Sequence, residues 1–271
     1  MITEGLIETT GAKLYYQVRG SGPLLLVIQG GAADADGSDA LATRLESNFM
    51  VVSYDRRGLS RSAVVPGSEP TDLSVHGSDA AVVLRELTDR PAYVFGVSIG
   101  ALIGLDLVTR YPDAIRVLVA HEAPATQLLA EPEREQAIRE QEEVEAAFRN
   151  EGVRAALMRF LRLSGVDFAD REEDAPAPAS SAFMAANLEF FLTYDAPAVR
   201  RYHLDEEALK RQANRVVPAA GASSSSHWPH HCASCLAELL GVGLVEFPGG
   251  HNAYGSRPKA VAQRLRQVLR G

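Results

Sequence analysis

The sequence predicts an α/β protein: a mostly parallel sheet flanked by helices, with a helical segment inserted in the middle of the chain. Three observations carry this. Short apolar runs of strand length alternate with helix-patterned segments in the first and last thirds, an arrangement that favours parallel strands and right-handed crossovers. One run, Tyr93-Val94-Phe95, leads through Gly96-Val97-Ser98-Ile99-Gly100 straight into a helical rhythm. Between about 126 and 203 the strand-like runs stop and helical spacing takes over.

Leu14-Tyr15-Tyr16 reads as a strand, and the uninterrupted Leu24-Leu25-Leu26-Val27-Ile28 as a strand buried on both faces. A helix over 40–47 precedes a strand at 50–54. Residues 72–88 read as a helix because Val75, Ala80, Val83 and Leu87 fall roughly on one face. The strand before Ser98, its helix and a strand at 117–120 complete the first part. In the insertion, the glutamate-rich stretch from Glu131 to Glu145 reads as a solvated helix face rather than an interaction tail. Leu157, Met158, Phe160 and Leu161 form one apolar stripe; Phe183, Met184, Leu188, Phe190 and Phe191 form another. Such stripes suit packing against the sheet, or a lid over an active site. Residues 165–181, polar and rich in proline and alanine, are expected to be a mobile connection. The rhythm resumes with a strand at 216–220, a helix through 236–240, a strand at 244–247 and a final helix from Pro258. Residues 1–125 and 204–271 are thus expected to form one domain, and 126–203 a helical cap inserted into it. There is no internal repeat and no Rossmann or Walker glycine signature.

At 271 residues the chain can bury a sizeable core, and 46% hydrophobic with 23% charged residues is the composition of a soluble globular protein. A net charge of −8 argues against nucleic acid or an anionic membrane as the main partner. The first residues lack a basic region followed by an apolar segment, and no apolar run approaches the roughly 18 residues of a membrane span. A cytoplasmic location is expected. Two cysteines are too few for a disulfide framework. Oligomeric state is left open.

The chemistry centres on Ser98. A strand that turns sharply into a helix lifts the serine oxygen clear of the sheet, close to the positive helix end. Glycines at 96 and 100 relieve the crowding of so tight a turn. A serine hydroxyl needs a base to take its proton, and His251, in the glycine-rich loop Pro248-Gly249-Gly250-His251-Asn252 after the last strand, is the candidate. Donors for a developing oxyanion would be the backbone N–H of Ile99 and that of Gly31, in the loop Gln29-Gly30-Gly31-Ala32 after the buried strand.

On these residues the chain resembles the α/β-hydrolase superfamily, and more closely the capped hydrolases common in actinobacteria. The resemblance rests on the Ser98 turn and on Tyr54-Asp55-Arg56-Arg57-Gly58-Leu59-Ser60-Arg61-Ser62. Ala120-His121-Glu122-Ala123-Pro124, Asn187-Leu188-Glu189-Phe190-Phe191-Leu192 and Glu246-Phe247-Pro248-Gly249-Gly250-His251 extend it over nearly the whole chain. It implies an eight-stranded, mostly parallel sheet and a Ser-acid-His triad at the strand ends. Asp55, Arg56 and Arg57 read as structural, tying the loop after their strand. The implied activity is hydrolysis of a small carboxylic ester or lactone, without metal or organic cofactor. Gln29, Phe190 and Phe191 are assigned to substrate contact. Serine at the nucleophile position disfavours the aspartate-nucleophile relatives.

One position departs from the family pattern. The acid usually follows the strand at 216–220, where this chain reads Gly221-Ala222-Ser223-Ser224-Ser225-Ser226, with Ser223 in the place of the aspartate. Three readings follow. Glu122, directly after the strand at 117–120, replaces the acid; or a hydroxyl of Ser223 or Ser224 orients His251; or the chain performs elimination or carbon–carbon cleavage, or only binds a ligand. Asp106 and Asp113 belong to the helix after Ser98 and its exit, and are poorly placed. A rival constellation, His227-Trp228-Pro229-His230-His231-Cys232-Ala233-Ser234-Cys235, holds enough soft ligands for zinc. Its spacing also suits plain packing on a helix, and no metal site is expected there.

Overall fold

The computed structural model describes residues 2–70, 72–167, 169–175 and 182–270. Among them nine strands form one sheet: β1 (Ile2–Thr9), β2 (Ala12–Arg19), β3 (Leu24–Ile28), β4 (Met50–Tyr54), β5 (Ala63–Val64), β6 (Ala92–Val97), β7 (Ile115–His121), β8 (Val216–Gly221) and β9 (Val245–Phe247). Eight lie on a continuous path, β1-β2-β4-β3-β6-β7-β8-β9, and the two-residue β5 pairs with β2 beside it. The expected eight-stranded sheet is therefore this path, with one short addition. β1 escapes the sequence pattern because it is an edge strand with a single buried residue, Ile7. β1–β2 and β2–β4 are antiparallel, whereas β3–β4, β3–β6, β6–β7, β7–β8 and β8–β9 are parallel.

The helices of the first part are α1 (Asp39–Leu45), α2 (Ser74–Leu87) and α3 (Ile99–Arg110). Between β7 and β8 lie α4 (Glu133–Glu151), α5 (Val153–Leu163), α6 (Met184–Phe190), a π-helical turn (Phe191–Asp195), α7 (Ala196–Arg201) and α8 (Glu206–Lys210). α9 (Trp228–Leu240), α10 (Ala253–Ser256) and α11 (Pro258–Arg270) follow. The β3 side chains show how the layers form. Leu24, Leu26 and Ile28 pack with α2 and α3 on one face, and Leu25 and Val27 with α1 and α11 on the other. A strand covered on both sides reads as a continuous apolar run, as this one does.

β3 sits between β4 and β6, so the strand order reverses there. At such a switch point the carboxyl ends of parallel strands leave a crevice, and ligands of open α/β sheets bind in it. The helical insertion leaves β7 at that same edge and returns to β8. Its apolar stripes are only partly covered: Met158, Phe183 and Met184 remain 59%, 43% and 40% exposed. Of the connection expected to be mobile, 168 and 176–181 lie outside the described residues. The described portion is anchored: Asp170 accepts from Arg257 Nε at 2.7 Å, and Glu172 accepts from the backbone N–H groups of Lys259 and Ala260 at 3.0 and 2.8 Å.

Glycines let the Ser98 turn fit against β3. A Cβ on Gly100 would stand 2.0 Å from the Ile28 carbonyl oxygen, and one on Gly96 would stand 2.4 Å from that of Gly100. Both obstacles are backbone, which cannot swing aside. Gly100→Ala should destabilise the fold by about 3 kcal/mol or more, since overpacking against fixed atoms lies at the upper end of core substitutions. Gly243→Ala, with open space around it, should be nearly neutral. Denaturant midpoints of the two variants check the contrast.

Candidate active site

Ser98 follows β6 with φ 55° and ψ −123°, a conformation that side-chain-bearing residues rarely adopt. Its N–H donates to the His121 carbonyl at 2.9 Å, which ties the turn to the end of β7. Glu122, directly after β7, is also left-handed, with φ 49°, and its N–H donates to the Ala219 carbonyl of β8 at 2.9 Å. Only one other non-glycine residue, Ser60, has a positive φ among the described residues. Backbone strain of this kind persists only where the surroundings over-determine it, and it gathers at functional sites.

The Glu122 carboxylate is fully buried. One oxygen, Oε2, accepts from His251 Nδ1 at 2.6 Å. The other, Oε1, accepts from the Gly221 N–H at 2.8 Å and from the Ser224 hydroxyl. Burial alone would push its pKa up; the hydrogen bond from His251, the nearby imidazoles and the Ser224 hydroxyl more than reverse this and bring it down to about 2. Glu122 is therefore an anion over the whole neutral range, held against Nδ1 of His251. His251 itself is buried in the loop after β9. With Nδ1–H given to the carboxylate, Nε2 is the ring's free basic nitrogen. Among the described residues neither that nitrogen nor the Ser98 hydroxyl has a hydrogen-bond partner, and both residues line one cavity.

The serine-rich loop behaves differently from expectation. Ser224 N–H bonds back to the Gly221 carbonyl at 3.3 Å, a turn that carries Ser224 inward and leaves Ser223 exposed, with its N–H on the Gly249 carbonyl. Ser223 thus stands away from His251, and the Ser224 hydroxyl serves the carboxylate rather than the imidazole. Asp106 is also accounted for elsewhere, bonded to the Tyr202 hydroxyl at 2.8 Å and to Arg110.

The loop after β3 runs beside Ser98: a Cβ on Gly30 would come 3.2 Å from that of Ser98. Its carbonyls are all engaged. Gln29 O accepts from Arg56 Nη1 at 2.8 Å, Gly30 O from Ala33 N–H at 3.1 Å, Gly31 O from Arg56 Nη2, and Ala32 O from Asn187 Nδ2 at 3.2 Å. Because a trans peptide points its N–H opposite to its C=O, the Gly31 N–H faces away from the Gly30 carbonyl's partner. Gly31 itself has φ 50°.

The cavity holds about 550 Å³ of empty space, part of it open to solvent. Ser98, Ile99 and His251 form its floor; Val144, Phe160, Leu163, Phe191, Val199 and Trp228 give it apolar walls, and Glu145 is a polar point among them. Two assignments to substrate contact need correction. Gln29 is fully buried and donates to the Ser38 hydroxyl at 2.9 Å, beneath the loop rather than in the cavity. The Phe190 ring lies over Gly58, where a Cβ would meet it at 2.0 Å, and against Tyr194. Phe191, one residue on, does line the cavity and meets Phe160 edge-on at 5.2 Å. In the sequence Phe160 stands only as one member of an apolar stripe, and Trp228 only within the histidine- and cysteine-rich segment; nothing in spacing marks which of these residues turns towards a cleft.

Cys232 is buried in the core, and burial pushes its thiol well above the usual range. His231 pairs with Glu133, and His230 Nδ1 lies 3.2 Å from the Gly221 carbonyl. Among the described residues no group of three or more His, Cys, Asp or Glu side chains is arranged to hold a metal ion. No described helix is long and apolar enough to cross a membrane.

The fold matches what comparison with known proteins finds. The chain fits the family model of the alpha/beta hydrolase fold over residues 23–155. It is 37% identical over 272 residues to the uncharacterized hydrolase YraK of Bacillus subtilis (strain 168), covering 99% of this chain and 96% of that protein. A zearalenone hydrolase of Bionectria ochroleuca is 33% identical over 133 residues, covering 48% of this chain and 50% of that one. A thermophilic esterase from Thermogutta terrifontis superposes with a TM-score of 0.77 at 19% identity, covering 99% of this chain and 98% of that structure, a likeness of fold. The chain belongs to the α/β-hydrolase family.

His121, just before Glu122, is buried between Phe95 and Phe247, and both of its ring nitrogens lack hydrogen-bond partners among the described residues. Desolvation depresses its pKa from 6.5 to about 4. Below pH 6.5 the unfolded chain therefore takes up a proton that the native protein refuses. The His121 contribution to stability is full above pH 6.5 and is lost as pH falls to about 4. Glu122 continues the decline from 4.5 towards about 2. Urea midpoints taken at steps from pH 7 to pH 4.5 should fall for the parent and stay nearly flat for His121→Asn.

Proposed function

We propose that the protein is a serine hydrolase of small carboxylic esters or lactones, working through an acyl-enzyme on Ser98. The observation that carries this reading is the 2.6 Å contact between His251 Nδ1 and the buried Glu122 carboxylate, with His251 and Ser98 lining one cavity. An anion on Nδ1 fixes the tautomer in which Nε2 accepts a proton and stabilises the imidazolium that results. Ser98 Oγ attacks the acyl carbon while Nε2 of His251 takes its proton. The tetrahedral oxyanion is met by the N–H groups of Ile99 and Gly31. Collapse expels the alcohol, which leaves with the proton from His251. Water then attacks the acyl-serine by the same route, releasing the acid and restoring Ser98. Hydrolysis of this kind draws on no cofactor.

Phe160, Leu163, Phe191 and Trp228 favour an apolar acyl or ring portion of the substrate, covered by the inserted helices acting as a cap. Serine at the nucleophile position supports ester chemistry over an aspartate-based route. An acid after β7 explains why the loop after β8 can read Ser223 where the family pattern has aspartate.

Fluorophosphonate labelling tests the reading. Ser98 should be labelled promptly, with labelling abolished in Ser98→Ala and strongly slowed in His251→Ala. A parent chain left unlabelled at high probe concentration would point to ligand binding without turnover. On p-nitrophenyl esters, Glu122→Gln should lower kcat by about 10³ or more, given that an aspartate-to-amide change in a serine protease costs about 10⁴. Ser223→Asp in that background should restore nothing, because its side chain faces outward. Equal rates for parent and Glu122→Gln would remove Glu122 from the mechanism.

A further inference from the structure

Arg56 is a fully buried cation in the loop after β4. Its two Nη groups hold the carbonyls of Gln29 and Gly31, and Nη2 also reaches Asp195 Oδ2 at 3.2 Å. Asp195, equally buried, ends the π-helical turn of the insertion, and its other oxygen is 3.0 Å from His76 Nε2 on α2. Burial pushes the Asp195 carboxyl up, but His76 and Arg56 outweigh this and hold it below the usual carboxylate range. The same π turn begins with Phe191, a wall of the cavity. Five residues thus connect the cavity wall to the guanidinium behind the β3 loop. π-helical turns within α-helices are frequent at functional sites.

The two carbonyls gripped by Arg56 flank the Gly30–Gly31 peptide, whose N–H is the oxyanion donor in the reading above. A planar fork sets its donors on two nitrogens in fixed geometry, one towards Gln29 and the other towards Gly31 and Asp195; a single ammonium on a flexible stem does not reproduce that spread. A buried ion pair adds little net stability, so its value here lies in fixing geometry. We propose that Arg56 and Asp195 are a positioning pair: they fix the Gly31 N–H, so that correct seating of the inserted helices on the core sets the strength of the oxyanion site. This inference rests on the serine-hydrolase reading for its kinetic consequence, though not for its structural one.

The experiment compares the parent with Asp195→Asn and Arg56→Lys, kcat being corrected for the folded fraction by circular dichroism and for active sites by fluorophosphonate titration. Both variants should lose about 10–100-fold in kcat, up to the loss of a full oxyanion donor, with KM within about threefold and the acid limb of the pH profile unmoved. A purely structural role would lower the folded fraction and leave kcat per active site intact. Folded Asp195→Asn with kcat per site within threefold of the parent overturns the proposal. Should Arg56→Lys fail to fold, Asp195→Asn alone decides. The amide resonances of Gly30 and Gly31 provide a readout that needs no turnover: they should shift in Asp195→Asn, and unchanged resonances overturn the pairing even if the parent hydrolyses nothing. A parent that fails to label at Ser98 while these resonances move would sink the hydrolase reading and leave the positioning pair standing.

Discussion

The site depends on one buried carboxylate. Glu122 has no solvent to stabilise its charge, and an ion moved from water into a protein interior without partners loses several kcal/mol. It keeps its charge because three donors converge on its two oxygens: the imidazole of His251, the backbone of Gly221 and the hydroxyl of Ser224. These come from the loop after β9, the end of β8 and the turn beyond it. The carboxylate therefore does more than touch a histidine. It ties the ends of three neighbouring strands, already paired in the sheet, into one arrangement around the imidazole.

That arrangement is reached through backbone strain at two neighbouring positions. Ser98 and Glu122 both end parallel strands with positive φ, and each is fastened to the next strand by its own N–H. The sheet thus continues its ladder through two conformations that side chains ordinarily avoid. A left-handed residue after a strand turns its side chain out of the pleat, which sends the Ser98 oxygen towards the cavity and the Glu122 carboxylate under His251. The close approach of Gly100 to β3 and of Gly30 to Ser98 leaves the turn little room to relax.

Around this rigid floor the inserted helices supply shape. Polar contacts tie them to the core beside the β3 loop: Asn187 bonds the Ala32 carbonyl and Ser60, and Asp195 bonds Arg56. The insertion's apolar residues join the main core, as Leu192 and Leu204 do, or line the cavity. Specific hydrogen bonds define how the insertion sits, while side chains such as Phe160 and Phe191 define what it encloses. The two tasks fall to different residues of the same short helices, joined through the π turn that runs from Phe191 to Asp195.

Much of this was legible in the amino-acid order. An unbroken apolar run of strand length marks β3, the tight glycine spacing marks the turn at Ser98, and the glycine-rich loop after the last strand marks His251, because each is a local pattern imposed by backbone geometry. The edge strand β1 was not legible, since an edge with one buried residue carries no period. Nor could order along the chain choose between Glu122 and the serines of the loop after β8. Those candidates lie about a hundred residues apart, and only the packing of β7 against β8 shows that Ser224 turns inward, Ser223 outward, and Glu122 beneath the imidazole. Phe190 and Gln29 misled for the same reason. Which side of a helix or loop meets a cleft is set by the neighbours it packs against, and those are brought near by the fold rather than by adjacency in sequence.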